Sequence, residues 1–93
     1  MKEQKIIEAR LMLCRYLRDL AKEKGITNQQ IADITGFTQG NVNRMLAGKY
    51  PPTLDNFIIL CDAINTYFFI IDKNANEEVT NLMRNRWRQA SDN

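Results

Sequence analysis

NQQIADITGFTQGNVNRMLAG, residues 28 to 48, decides how this chain is read. Two short runs with apolar residues at three- and four-residue steps flank a four-residue break, TGFT. The outward positions of the second run carry amides and one arginine, where an ordinary solvated helix carries Lys and Glu. Thr27 is a good N-cap for the first run, and Gln30 three residues on completes a capping-box pattern. That helix is expected to run to about Thr35 and to bury Ile31, Ala32 and Ile34. Gly36 follows, tolerant of a left-handed turn. Thr38 then caps a helix over residues 39 to 47 whose inward residues are Val42, Met45 and Leu46, and Gly48 closes it.

Working upstream, residues 3 to 24 read as one long helix, with Ile6, Ala9, Leu13, Leu17, Leu20 and Ala21 forming an apolar stripe. Gly25 ends it, and Lys22 and Lys24 suit the negative end of the helix. Downstream, KYPP is a loop, because proline cannot continue a helix and restricts its predecessor. Thr53 caps a further helix over residues 54 to 64, and Asn65 is a left-handed cap after it. TYFFIID is aromatic, β-branched and apolar on both faces, and reads as a strand. Residues 73 to 76 are a polar turn. Residues 77 to 90 form a last helix with Val79, Leu82, Met83 and Trp87 on one stripe, followed by a frayed tail.

The chain has 93 residues, 44% of them hydrophobic and 26% charged, which predicts one soluble, globular domain, and the helices expected above make it mainly α. We divide it into residues 1 to 65 and an extension, residues 66 to 93. Cys14 and Cys61 fall on apolar faces and read as reduced core thiols. With no His and no CxxC, no metal ligands, cofactor site or catalytic residues are expected, and an enzyme is rejected. The polar start MKEQKIIEAR and the lack of a membrane-length apolar run predict a cytoplasmic protein. A net charge of +2 does not by itself argue for nucleic acid. Its distribution says more: from residue 28 to residue 52 the only acid is Asp33, against Arg44 and Lys49.

Two helices joined by a tight glycine-containing turn form a helix-turn-helix. Close crossing needs a small residue, Ala32. The turn needs permissive backbone, Gly36. The second helix needs an aliphatic residue packing back, Val42. All three stand at the required spacing. Here the chain resembles the phage-repressor-like helix-turn-helix family of Cro and lambda-type repressors. The resemblance runs through LCRYLRDLA and KEKGITNQQIADITGFTQGNVNRMLAGKYPPTLDNFIILCDAIN, roughly residues 13 to 65. It implies a four- or five-helix bundle that binds operator DNA, usually as a dimer, and regulates transcription without catalysis. The family usually has a charged residue where this chain has Ile59 and often a glycine at Asn65. Ile59 therefore points to an extra contact.

Within that frame the amides acquire a purpose. Gln and Asn hydrogen-bond adenine bidentately, and Arg does the same to guanine. The outward positions of the second helix are Gln39, Gly40, Asn43 and Arg44, with Asn41 at the margin. By resemblance, Gln39, Gly40 and Arg44 align with base-reading positions, and Asn43 is placed for a base or a phosphate. Gly40 offers close approach. Asn28, Gln29, Thr38, Lys49 and Tyr50 are the expected phosphate contacts.

A lone apolar strand leaves backbone groups unpaired. The expectation is that residues 67 to 72 pair with a second copy across a twofold axis. Ile59, Tyr67, Phe68, Phe69, Ile70, Ile71 and Trp87 would then form the homodimer interface. The alternative function is an antitoxin-like or other interaction module that holds a protein partner through residues 66 to 93.

Overall fold

The computed structural model describes residues 2–68, 73–74 and 77–91. Five helices occupy them: α1 (Glu3–Glu23), α2 (Asn28–Thr35), α3 (Gln39–Ala47), α4 (Leu54–Ala63) and α5 (Glu77–Ser91). Among the described residues there is no strand. Thr66, Tyr67 and Phe68, the start of the expected strand, have no regular structure. Phe69, Ile70, Ile71 and Asp72 lie outside the described residues, as does the Trp87 side chain.

Local chemistry fixes the helix ends. Thr27 accepts the Gln30 backbone N–H at 3.1 Å while the Gln30 side chain accepts the Thr27 N–H at 2.8 Å, so the capping box forms in both directions. Thr38 and Thr53 cap α3 and α4 by accepting the backbone N–H groups of Asn41 and Asn56. Such caps satisfy donors that have no partner within the helix, each contributing about 1 kcal/mol. At the other ends, Gly25, Gly36, Gly48 and Asn65 all take left-handed backbone. Lys24 departs from its expected role. Its ammonium donates to the carbonyls of Ile64 and Asn65, 2.8 and 2.9 Å away, and so neutralises the end of α4 rather than that of its own helix.

The core is built by Leu17 and Ala21 of α1, Ile31 and Ala32 of α2, Val42, Met45 and Leu46 of α3, and Leu60, Cys61 and Ile64 at the end of α4. The principal helix contacts are α1 with α3, α2 with α3 and α2 with α4. Phe68 closes the core edge-on against Phe57, ring centroids 5.1 Å apart. The chain beyond α4 is thus anchored at Phe68, its second aromatic residue.

Two expectations for the core are corrected. Ile34 is 66% exposed. At 100° per residue it stands roughly 100° round from the line through Ile31, Ala32 and Thr35 that faces the core. Along α1 the inward line passes through Cys14, Leu17 and Ala21, while Ile6 and Leu13 are exposed. Leu13 lines two apolar concavities, of about 400 and 570 Å³, with Phe57 and Phe68.

Cys14 and Cys61 are buried and unbridged. Burial pushes the Cys14 thiol up, partly countered by the Arg10 guanidinium. It pushes Cys61 up to about 11, with the neighbouring Cys14 adding in the same direction. Thiols in this environment are packing groups.

Candidate nucleic-acid interface

The α2–α3 pair is set by its turn. Gly36 adopts φ +82° and its N–H closes on the Ala32 carbonyl at 2.9 Å. A Cβ at Gly36 would meet no atom within 4 Å, so the backbone conformation alone asks for glycine there. The Thr35 hydroxyl donates to the Ile31 carbonyl and accepts the Phe37 N–H, and Phe37 drops against the core. Ala32 and Val42 are buried between the two helices' inner faces and the core. At the far end of α3, a Cβ on Gly48 would fall 2.8 Å from Leu11 Cδ2 and 3.5 Å from the Leu11 Cα. Gly48 therefore lets α3 end directly on α1.

With Val42, Met45 and Leu46 committed to the core, the opposite side of α3 is open. Gly40 and Arg44 are exposed there, flanked by the exposed Asn41 and Asn43, and Gln39 is exposed as the first residue of the helix. Asn28, the first residue of α2, donates its side-chain Nδ2 to the side-chain Oδ1 of Asn43 and bridges the two helices. Arg44 Nη2 donates to Asn41 Oδ1 at 2.7 Å. Gln29 Nε2 donates to Asp33 Oδ1 at 2.9 Å, which occupies the one carboxylate of this region. Gln39 has no side-chain partner among the described residues. Thr38, Lys49 and Tyr50 are exposed at the two ends of α3. Tyr50 sits with Phe37, Asn41 and Asn56 around a shallow hollow of about 200 Å³.

Of the expected site residues, the structure brings Asn28 together with Asn43 across the two helices, and Gly40 together with Arg44 along α3. Asn28 and Gln29 are engaged by other side chains, and Asn43 is tied to Asn28. Asn41 is the residue whose part the sequence reading missed. The signal was its i, i+3 spacing from Arg44, which brings two polar side chains together on a helix surface.

Chemically the face offers amide donors and acceptors, a guanidinium and an ammonium, with little opposing charge. That combination fits an anionic polymer bearing hydrogen-bonding edges. Among the described residues no group of His, Cys, Asp or Glu could hold a metal ion, and no helix is long and apolar enough to cross a membrane.

A helix-turn-helix family model matches residues 17–70, more than half of the chain. The chain belongs to that family, the helix-turn-helix proteins of the Cro and lambda-repressor type. Membership suggests a DNA-binding transcription regulator, and such regulators are typically not enzymes. No curated protein and no solved structure matches the chain.

Proposed function

We propose that this protein is a sequence-specific, dimeric repressor that inserts α3 into the DNA major groove. The observation that carries the proposal is the outer face of α3. A helix locked to the core by Val42, Met45 and Leu46 turns only amides, a glycine and an arginine outward. Gln39, Asn43 and Arg44 read base edges in this scheme, and Gly40 permits close approach. Asn28, Gln29, Thr38, Lys49 and Tyr50 hold phosphates and fix the register.

Dimerisation follows from the need for two recognition helices about 34 Å apart on a twofold-symmetric site. It is supported by apolar side chains open to water: Ile59 and Tyr67 are 41% and 43% exposed. Residues 1 to 65 carry DNA binding, and residues 66 to 93 extend the domain for self-association. Residues 67 to 72 pair between copies, and Ile59, Tyr67, Phe68, Phe69, Ile70, Ile71 and Trp87 form the shared interface.

The test is selection from a random duplex library, then titration of the enriched sequences at two salt concentrations. A palindromic consensus with half-site centres near 10 base pairs apart is expected. Gln39→Ala lowers discrimination between sequences, whereas Lys49→Ala weakens all of them and reduces the salt slope by about one unit. No enrichment, with only weak salt-sensitive binding, would overturn sequence-specific recognition and turn attention to a protein partner of residues 66 to 93.

A further inference from the structure

Arg44 stands in the last turn of α3, whereas the residues of a recognition helix that reach bases lie mainly near its start. Its guanidinium does not stay at the last turn. Long helical side chains lean toward the N-terminus, over the preceding turn. In this protein that lean is held: Nη2 donates to Asn41 Oδ1 at 2.7 Å, one turn back along the helix. The path of the side chain passes Gly40. A Cβ built there would have Arg44 Nη2 as its nearest neighbour, at 3.8 Å, and nothing else within 4 Å. Glycine this near the start of a helix has poor propensity, and neither left-handed backbone nor close packing requires it here.

We infer that Asn41 is a positioning residue for Arg44: it holds the guanidinium over Gly40, toward the start of α3, and so sets which base pair Arg44 reads. The inference rests on the proposal that α3 enters the major groove. Asn41 uses its carbonyl oxygen for this task and Arg44 uses one edge of its fork. The remaining N–H groups stay available for the paired acceptors of a guanine, O6 and N7. Holding the fork in advance removes rotamer freedom before DNA arrives, so less is lost on binding. The Asn41 side chain takes no part in the α3 cap, which uses its backbone N–H, so substitution leaves the helix start intact.

The experiment is library selection and competitive titration with the full chain, comparing wild type, Arg44→Ala, Asn41→Ala, Asn41→Asp and the double variant Asn41→Ala/Arg44→Ala. Arg44→Ala should erase a guanine preference at one position of each half-site, a loss of roughly 5- to 150-fold in discrimination. Asn41→Ala should reduce that same preference by about 3- to 10-fold, with the salt slope unchanged. In the double variant the Asn41 change should add nothing at that position, because its effect passes through Arg44. Asn41→Asp keeps the acceptor. It should retain the guanine preference while weakening every sequence alike, since a carboxylate now faces phosphates.

Wild-type enrichment with an Asn41→Ala preference equal to wild type overturns the inference and leaves the DNA reading standing. So does loss at a different base position that persists in the double variant, which would make Asn41 a base reader itself. Absence of any enriched sequence for the wild type overturns the groove reading and the inference with it.

Discussion

Two helices of this molecule bury equivalent inner faces and turn very different outer faces to water. α3 commits Val42, Met45 and Leu46 to the core and exposes Gln39, Gly40, Asn43 and Arg44. α1 commits Cys14, Leu17 and Ala21 and exposes Ile6, Met12, Leu13 and Tyr16. Inner faces answer to packing, which asks only for apolar volume of the right shape. Outer faces answer to whatever the helix meets. The polar face of α3 is backed by Val42, Met45 and Leu46, all buried in the core. The apolar face of α1 borders hollows lined by Phe57 and Phe68, beside the exit of the chain toward α5. The contrast separates rigid presentation of polar groups from an apolar surface suited to association.

The sharpest way to break this comparison is to cut the anchor of the polar face. Ile31 is fully buried, whereas Ile34 on the same short helix is not. Ile31→Ala should cost about 2–5 kcal/mol, against under about 0.5 kcal/mol for Ile34→Ala, as measured by urea denaturation. Equal losses would mean that α2 is rotated from the orientation described.

A smaller effect separates the two glycines that end α2 and α3. Both take left-handed backbone, so alanine at either strains the chain by roughly 1–2 kcal/mol. Only at Gly48 does the new methyl also press on Leu11 of α1. The atom pressed is the end of a flexible side chain, so Gly48→Ala should be the more damaging by about 1 kcal/mol at most, in paired thermal melts. Parity between them would show that the Leu11 side chain moves aside without cost.

The thiols provide a milder, pH-dependent probe of the same α1–α4 region. Burial raises both, Cys61 to about 11, so the folded protein holds these protons more tightly than the unfolded chain does. Their contribution is complete at neutral pH. For Cys61 it is lost as pH climbs through the ordinary thiol value of 9.0 toward about 11, at up to about 1.4 kcal/mol per pH unit, and the loss for Cys14 runs in the same direction. Denaturation between pH 7 and 10.5 should show this fall, and Cys14→Ala/Cys61→Ala should flatten it. An unchanged slope would exclude the thiols as its source.

The least effect on folding is expected where association is at issue. Ile59→Lys should cost the monomer about 1 kcal/mol or less, since 41% of the residue is open to water and the lysine stem can replace part of its covered surface. In sedimentation velocity it should nonetheless shift the protein toward monomer. Dimers that persist unchanged would remove Ile59 from the interface.

Much of the α2–α3 unit was legible because its signals are local. Thr27 with Gln30, Thr38, Gly36 and Gly48 act within four residues of themselves, and each forms the cap or turn that its residue type implies. The burial of Ile31, Ala32, Val42, Met45 and Leu46 followed from periodicity, confined by short helices to one side. Ile34 escaped that reasoning because an eight-residue helix offers too few turns to fix its inward direction from spacing alone. Ile6 and Leu13 escaped it for the opposite reason. α1 is long, and which of its two neighbouring apolar lines faces inward depends on where α3 and the rest of the core meet it.

The side-chain network of the polar face was still less accessible. Composition marked Asn28, Asn43, Asn41 and Arg44 as unusual for a surface, yet the bridge from Asn28 to Asn43 spans two helices and exists only at their actual crossing. Lys24 makes the same point: its charge suited any helix end, and packing brought it to that of α4.

Local signals in the chain sufficed to place the four helices up to Ala63 to within a residue at their ends, to show that two of them form a helix-turn-helix, and to say which side of α3 faces water. Hydrogen bonds between neighbours in the chain and helical periodicity suffice for each. Tertiary structure alone decided which line of α1 meets the core, which helix end receives Lys24, and that Asn28 reaches Asn43. These depend on the relative placement of helices, which is not written in the spacing of residues along a chain.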